Sequence, residues 1–365
     1  MNVLVTGAKG FIGKNACYAL KEAKHRVFEF DVSNTGEELI EFVQNADAII
    51  HLAGVNRPLN PEEFIDGNVN LTKRILDLAK TSDKKPLIIF ASSTQATLDN
   101  PYGQSKKQAE DLLLSSGHPV VVYRLYNVFG KWCRPNYNSV IATFCHNVAN
   151  GLPLQINKEA PAIDFVYIDD VVSCLIQSLL VKQGDNKIRY PEPHYSRKLD
   201  DIAGLLLSFK ESRNTFFVPS IEDDFARKLY ATYLSYLPEN QFAYPLEPHV
   251  DERGSFTEIL KTFGFGQISV NVAKPGITKG NHYHNTKNEK YLVVHGECEI
   301  KFRKLGSKDV ITYRCSDKKL EVVDIPVGYT HSITNVGNDD SVTLMWASEQ
   351  FDPKNPDTFY CPVEQ

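Results

Sequence analysis

The sequence predicts an α/β unit built on a doubly wound parallel sheet, followed by an all-β barrel. Apolar strand-like runs alternate with helical patterns through the first part of the 365-residue chain. From about residue 244, short β-type runs follow one another with only turn residues between them. A glycine-rich turn stands directly behind the first strand, where a sheet of this kind binds phosphates.

Taken in order, "NVLVTG", "RVFEFD", "DAIIHLAG", "PLIIFASS" and "PVVVYRLYNVFG" read as five buried strands. Helix-like runs such as "EEFIDGNVNLTKRILDLAKTS" separate them. Such alternation means a parallel sheet covered on both faces. "FAYPLEPHVDERGSF" has two prolines, mixed charge and no helical period. It sets the expected domains at residues 1–243 and 244–365. Beyond it "QISVNVA", "KYLVVHG", "ECEIKFRK", "DVITYRC", "LEVVDIP", "HSITNV" and "SVTLMWAS" read as strands of a sandwich or barrel.

Apolar residues make up 42% and charged residues 23%, enough to build ordered cores. The net charge of −5 leaves no basic footprint, which excludes nucleic acid as the expected partner. No apolar run reaches the roughly 18 residues of a membrane span, and "MNVLVTGAKG" does not read as an export signal. Seven irregularly spaced cysteines, none in a Cys-x-x-Cys pair, point to a reducing cytoplasm.

In "VLVTGAKGFIG", Gly7, Gly10 and Gly13 join the first strand to a helix. Glycines here keep the turn tight and let the backbone approach a pyrophosphate, which the helix N-terminus then receives. Asp31 follows the second strand, where a carboxylate accepts ribose hydroxyls. "YGQSK" sets Tyr102 and Lys106 four residues apart on one helical face. A cationic lysine favours the phenolate, so the tyrosine can exchange a proton. Ser93 of "ASST" is placed to hydrogen-bond a substrate carbonyl.

With "TGAKGFIG", "HLAG", "SS", "YGQSK", "RLYNVFG" and "DFVYIDD", the first part resembles an extended short-chain dehydrogenase/reductase with a Rossmann-type sheet. The resemblance implies that Tyr102 is the acid/base, that Lys106 holds the nicotinamide ribose and that Ser93 polarises the carbonyl, with Thr94 as neighbouring candidate. It implies that Lys9, Phe11, Ile12, Leu52, Ala53 and Gly54 border the cofactor beside the three glycines and Asp31. It also implies that Asn127 contacts a nucleotide sugar.

In the second part, strand periodicity sets His282 and His284 on one face, with Glu289 on the next strand pattern and His331 in "PVGYTHSITN". Three imidazoles and a carboxylate suit zinc, or less specifically iron, nickel or manganese. The spacing from Gly276 through His282, His284 and Glu289 to Gly296, then Pro326, Gly328, His331 and Asn335, resembles the two cupin motifs. Leu320 departs from it at a leading glycine. "DERGSFTEI" resembles the entrance of sugar-nucleotide epimerase cupins and implies a substrate contact at Arg253.

A reductase followed by a cupin resembles the bifunctional enzymes of capsular polysaccharide synthesis. That implies a UDP-4-keto-6-deoxy-N-acetylhexosamine substrate. It further implies that the cupin epimerises C3 and that the reductase then reduces the C4 ketone to a UDP-N-acetyl-L-talosamine-type product. Lys261 and Tyr283 are candidates for the C3 base. Asp31 favours NADH, because it repels a ribose phosphate, whereas Lys9 can pair with one. The resemblance tips the expectation to NADPH. Pairing of open sheet edges makes a homodimer the expected assembly. The competing expectation is a plain reductase whose cupin is a non-catalytic, metal-stabilised oligomerisation module.

Overall fold

The computed structural model describes residues 1–58, 60, 62–157, 159–181 and 186–364. The chain packs as two compact units, residues 1–207 with 221–239, and residues 208–220 with 240–365.

The first unit is the predicted Rossmann-type fold. Strands β1 (Asn2–Thr6), β2 (Arg26–Phe30), β3 (Ala48–His51), β4 (Leu87–Ser93) and β5 (Val120–Leu125) are parallel in the order β2-β1-β3-β4-β5. Period two sends alternate side chains into two helical layers. Val3, Val5, Ile50 and Ile89 pack with Cys17 and Leu20 of α1 (Phe11–Glu22). Leu4, Ile49, Ile88 and Phe90 pack with Leu39 and Val43 of α2 (Gly36–Asn45). Thr35 and Glu38 close α2 with reciprocal side-chain to backbone bonds, so that helix starts where its sequence directs.

Two expectations need correction. The run "EEFIDGNVNLTKRILDLAKTS" is not one regular helix. It opens as α3 (Glu62–Phe64), widens to i→i+5 bonding over Ile65–Asn70, and continues as α4 (Leu71–Thr81). The Asn68 side chain accounts for the widening. It accepts from Val55 N at 2.8 Å and donates to Val55 O at 3.1 Å and Ser105 Oγ at 2.9 Å.

Nor is "PVVVYRLYNVFG" one strand. After β5 and Tyr126 the chain enters β6 (Asn127–Phe129), which pairs with β7 (Ile163–Tyr167) in a separate sheet. Beyond β5 lies β8 (Ile188–Arg189), in register with Val122 and Tyr123, while β9 (His194–Arg197) completes the small sheet. The last residues of the run therefore find backbone partners in β7 rather than at the edge of the large sheet.

The second unit is antiparallel. One sheet orders β10 (His249–Asp251), β11 (Gly254–Thr262), β12 (Gly266–Ala273), β19 (Ser341–Ala347), β14 (Glu289–His295) and β17 (Val322–Ile325). The other orders β16 (Val310–Ser316), β15 (Glu297–Lys304), β18 (Tyr329–Asn335), β13 (Thr278–Tyr283) and β20 (Phe359–Tyr360). Tyr291, Val293 and Ile325 of the first meet Ile300, Phe302 and Ile333 of the second in one core. This is the predicted cupin-like barrel. Among the described residues no helix is long and apolar enough to cross a membrane, and the seven cysteines are unpaired.

Candidate active site and metal centre

The sheet order reverses between β1 and β3, and in such sheets the crevice beyond the strand ends takes the ligand. Gly7 follows β1 with φ +69°, and a Cβ there would lie 2.8 Å from Ala53 N, so the turns after β1 and β3 touch. A Cβ on Gly13 would lie 2.0 Å from Gly7 O, so α1 can start only with glycine at that position. Gly10 precedes α1 without a side-chain cap, leaving the helix N–H groups available to an anion. The crevice has a volume of about 770 Å³. All the first-unit residues singled out above line it, from Gly7, Lys9, Gly10, Phe11, Ile12 and Gly13 through Asp31, Leu52, Ala53 and Gly54 to Ser93, Thr94, Tyr102, Lys106 and Asn127.

Along the crevice, Asp31 accepts Lys9 N at 2.7 Å and Val32 N at 2.9 Å. The Lys9 ammonium reaches Ser33 Oγ at 2.8 Å. The carboxylate is thus held by backbone N–H groups and the ammonium by a serine hydroxyl, and both residues line the crevice.

At its chemical end, Asn100 caps α5 (Pro101–Leu114) by accepting Gly103 N at 2.8 Å, which fixes Tyr102 in the first turn and Lys106 one turn on. Lys106 is buried and donates to Ala91 O at 2.9 Å. Burial pulls its ammonium down to about 8, opposed by the charge of Glu110. Burial pushes the Tyr102 phenol up to about 12, with a hydrogen bond from Ser93 acting the other way. The adjacent Ser92 is spent elsewhere. It donates to buried Glu110 at 2.6 Å, which also takes Arg124 through bonds of 2.9 and 2.7 Å. Ser93 is thus the serine of "ASST" that meets the tyrosine.

Sequence reasoning missed several contributors. Thr6 donates to His51 Nδ1 at 2.7 Å, and His51 Nε2 donates to Thr72 Oγ1 at 2.9 Å, because Thr72 gives its own proton to Asn68 O. Burial pulls His51 down to about 3, so it stays neutral. Thr6 Oγ1 also accepts Ala53 N at 3.3 Å, which ties the turn after β3 to β1. Trp132, Arg134 and Tyr137 line the crevice, with the Arg134 guanidinium 5.4 Å from the Tyr137 ring. The cation–aromatic density of "GKWCRPNY" was the available signal.

In the second unit His282 and His331 sit directly opposite on β13 and β18. A bulge separates Gly280 from His282, with Asn281 at φ 58°. A Cβ on Gly280 would lie 2.8 Å from His331 O, so glycine permits this close pairing of strands. The ligand atoms of His282, His284, Glu289 and His331 all fall within 4.8 Å of one another. Burial, with His331 and His284 adding to it, pulls His282 down to about 4, which leaves a neutral imidazole. His284 donates through Nδ1 to Asp357 O at 2.6 Å. Its buried Nε2 makes no hydrogen bond to any described residue and lies 3.4 Å from Glu289 Oε2. A buried, unpartnered imidazole nitrogen among two more imidazoles and a carboxylate fits a divalent ion of the zinc type.

The remaining candidates are dispersed. Arg253 turns back on Asp251, at 3.0 Å from Nε and 2.5 Å from Nη2. Lys261 pairs with Glu258 at 2.8 Å. Across the sheet Lys261 is in register with Gln267, Ala347 and Glu289, so it shares the face of the cluster's carboxylate. Tyr283 stacks on Phe359 at 5.2 Å. Leu320 is exposed ahead of β17.

Residues 3–190 match the NAD dependent epimerase/dehydratase family, and residues 249–359 match the polysaccharide biosynthesis C-terminal domain. A UDP-2-acetamido-2,6-beta-L-arabino-hexul-4-ose reductase of Pseudomonas aeruginosa is 43% identical over 100% of this chain and 99% of its own length. The crystal structure of the capsular polysaccharide assembling protein CapF from Staphylococcus aureus is 48% identical, with a TM-score of 0.93 over 100% of both chains. A UDP-glucuronic acid 4-epimerase from Bacillus cereus in complex with NAD is 20% identical, with a TM-score of 0.53 over 65% of this chain and 98% of its own, a likeness of fold. The chain belongs to the NAD dependent epimerase/dehydratase family and, along its whole length, to the family of CapF and the hexul-4-ose reductase.

Proposed function

We propose that the chain is a bifunctional nucleotide-sugar enzyme of capsular polysaccharide or O-antigen synthesis. Residues 244–365 invert C3 of a UDP-4-keto-6-deoxy-N-acetylhexosamine. Residues 1–243 reduce its C4 ketone with NADPH to a UDP-N-acetyl-L-talosamine-type product. The observation that carries this is that Ser93, Tyr102 and Lys106 line the same crevice as the glycine turn, in a chain whose full-length relatives include a hexul-4-ose reductase. The enzyme works in the cytoplasm, in keeping with its unpaired cysteines.

The C4 carbonyl acidifies the C3 proton. A base of the second unit removes that proton and a proton returns on the opposite face, with Lys261 and Tyr283 as base candidates. Arg253 stands as a substrate contact. His282, His284, Glu289 and His331 would hold the ion, zinc by the chemistry of the set. When bound, it supplies a fixed positive charge near developing oxygen charge. In the first unit, Asn127 contacts the nucleotide sugar and Ser93 orients the C4 carbonyl. Tyr102 gives its proton to the C4 oxygen, and the Lys106 ammonium stabilises the phenolate left behind. When bound, the nicotinamide supplies the hydride.

The test is conversion of the UDP-4-keto sugar by the full-length chain, followed by NADPH oxidation. No oxidation above the sugar-free rate contradicts the reductase assignment. The Lys9 ammonium, hydrogen-bonded to the neutral Ser33 hydroxyl and lining the crevice with Asp31, supports the preference for NADPH. Lys9→Ala is expected to raise the KM for NADPH about tenfold, the equivalent of one charge-assisted bond, with little change for NADH. An equal change for both cofactors contradicts the role given to Lys9.

The homodimer is retained as the working assembly. Val310, Ile311 and Tyr313 are exposed on the edge strand β16, and Val322 on the edge strand β17. A monomer mass by light scattering at micromolar concentration contradicts it.

A further inference from the structure

The final segment of the chain runs beside the candidate metal centre. Its strand β20 pairs with β13, His282 opposite Tyr360 and Tyr283 opposite Phe359. Residues further on are fastened independently. Cys361 N donates to Asn281 O at 2.8 Å, and Val363 N to Asn281 Oδ1 at 3.0 Å. Buried Arg303 donates to Val363 O at 2.8 Å and Pro362 O at 2.7 Å. Lys301 closes the end on Glu364 at 2.6 Å.

Asp357, at the start of this segment, does something separate. Its carboxylate accepts the backbone N–H groups of Asn285, Thr286 and Lys287 at 3.0, 2.9 and 2.9 Å, and Thr286 Oγ1 at 3.1 Å. Its φ of 40° lies in the left-handed region, a conformation other residues adopt only when surroundings impose it. The result is that its carbonyl faces His284 Nδ1 at 2.6 Å. A carbonyl only accepts, so Nδ1 of His284 carries a proton. Nε2 is the ring nitrogen turned toward His282, Glu289 and His331, 3.4 Å from Glu289 Oε2, and it is the atom free to ligate an ion.

We propose that Asp357 is a positioning residue for the metal centre: its carboxylate clamps the turn 285–287, and its carbonyl fixes the tautomer and ring orientation of His284. The proposal rests on reading the four-residue cluster as an ion site. An imidazole whose far nitrogen donates to a fixed acceptor is a more basic and better oriented ligand. Because residues 361–363 are held by Asn281 and Arg303, the clamp can be removed while the barrel's closing contacts remain.

The experiment titrates metal-free full-length protein with zinc against a competing chelator. Asp357→Ala is expected to weaken zinc binding about 10–100-fold, the usual effect of losing an outer partner of a ligand. Asp357→Asn keeps a side-chain acceptor and tolerates the left-handed backbone, so it recovers most of the affinity. Nitrogen-detected NMR of the metal-free wild type is expected to show His284 as the Nδ1–H tautomer with a slowly exchanging proton. That signal broadens into solvent exchange in Asp357→Ala, an effect that general loosening of the barrel does not produce on one imidazole alone. Equal zinc affinity for wild type and Asp357→Ala overturns the proposal and leaves the ion site standing. A wild type that binds no divalent ion overturns the ion site itself and the clamp with it. If Asp357→Ala does not fold, the wild-type spectrum decides, and an Nε2–H tautomer at His284 refutes the clamp.

Discussion

Tyr102→Phe is expected to lower ketone reduction by about 10²–10⁴-fold, the usual worth of a positioned general acid. The ring keeps its packing against Phe64, so the loss is one of proton supply and not of fold. C3 exchange on the same substrate should continue at the wild-type rate, because the inversion is assigned to other residues. Loss of both activities in a folded variant contradicts that division of work.

The same site predicts a pH profile. The Lys106 ammonium, pulled down to about 8 by burial, is charged through the neutral range and loses its proton as pH rises through about 8. Tyr102, pushed up to about 12, stays protonated across that range. Reduction should therefore hold steady near neutrality and fall on the alkaline side of about 8. A rate that climbs through pH 8 contradicts the assignment of Lys106 as the charge that stabilises the phenolate.

His282→Ala carries the second large effect. It removes one of three imidazoles from a set whose ligand atoms lie within 4.8 Å of one another. Metal content is expected to fall from about one ion per chain to a small fraction of that after dialysis. The thermal transition of the second unit should drop as well, because metal binding energy is shared with folding. The first unit has its own core, so NADPH affinity should be unchanged. His295→Ala serves as the control, since His295 is exposed and stands outside the cluster. Elemental analysis showing equal metal in His282→Ala and wild type contradicts the ligand set.

The parts that were legible in the sequence are those whose chemistry is local. Alternation in "NVLVTG" and its neighbours reveals which residues enter which helical layer, because strand side chains change face at every step. The glycine turn is legible because a Cβ at Gly7 or Gly13 would strike backbone. The histidine cluster is legible because His282 and His331 occupy facing strands at a spacing the motif preserves.

What was not legible depends on partners distant in the chain. The split of β5 from β6 at Tyr126 is invisible in an unbroken strand-like run, since it depends on β7, far along the chain, pairing with Asn127–Phe129. The wide turn at Ile65–Asn70 answers to Val55 and Ser105. The choice of Ser93 over Ser92 depends on Glu110, 18 residues further on. Asp357, 73 residues from the histidine it orients, lies in a stretch with no motif of its own.

The central claim is that one chain inverts C3 and then reduces C4. Proton NMR of the full-length wild type with a UDP-4-keto-6-deoxy-N-acetylhexosamine in D₂O, first without nicotinamide cofactor and then with NADPH, tests it most directly. The account predicts deuterium at C3 before any cofactor is added, followed by a C4-reduced sugar that carries that deuterium and the inverted configuration. A reduced product that keeps its original C3 proton and configuration, with no exchange in the first stage, would contradict the account and leave a plain reductase.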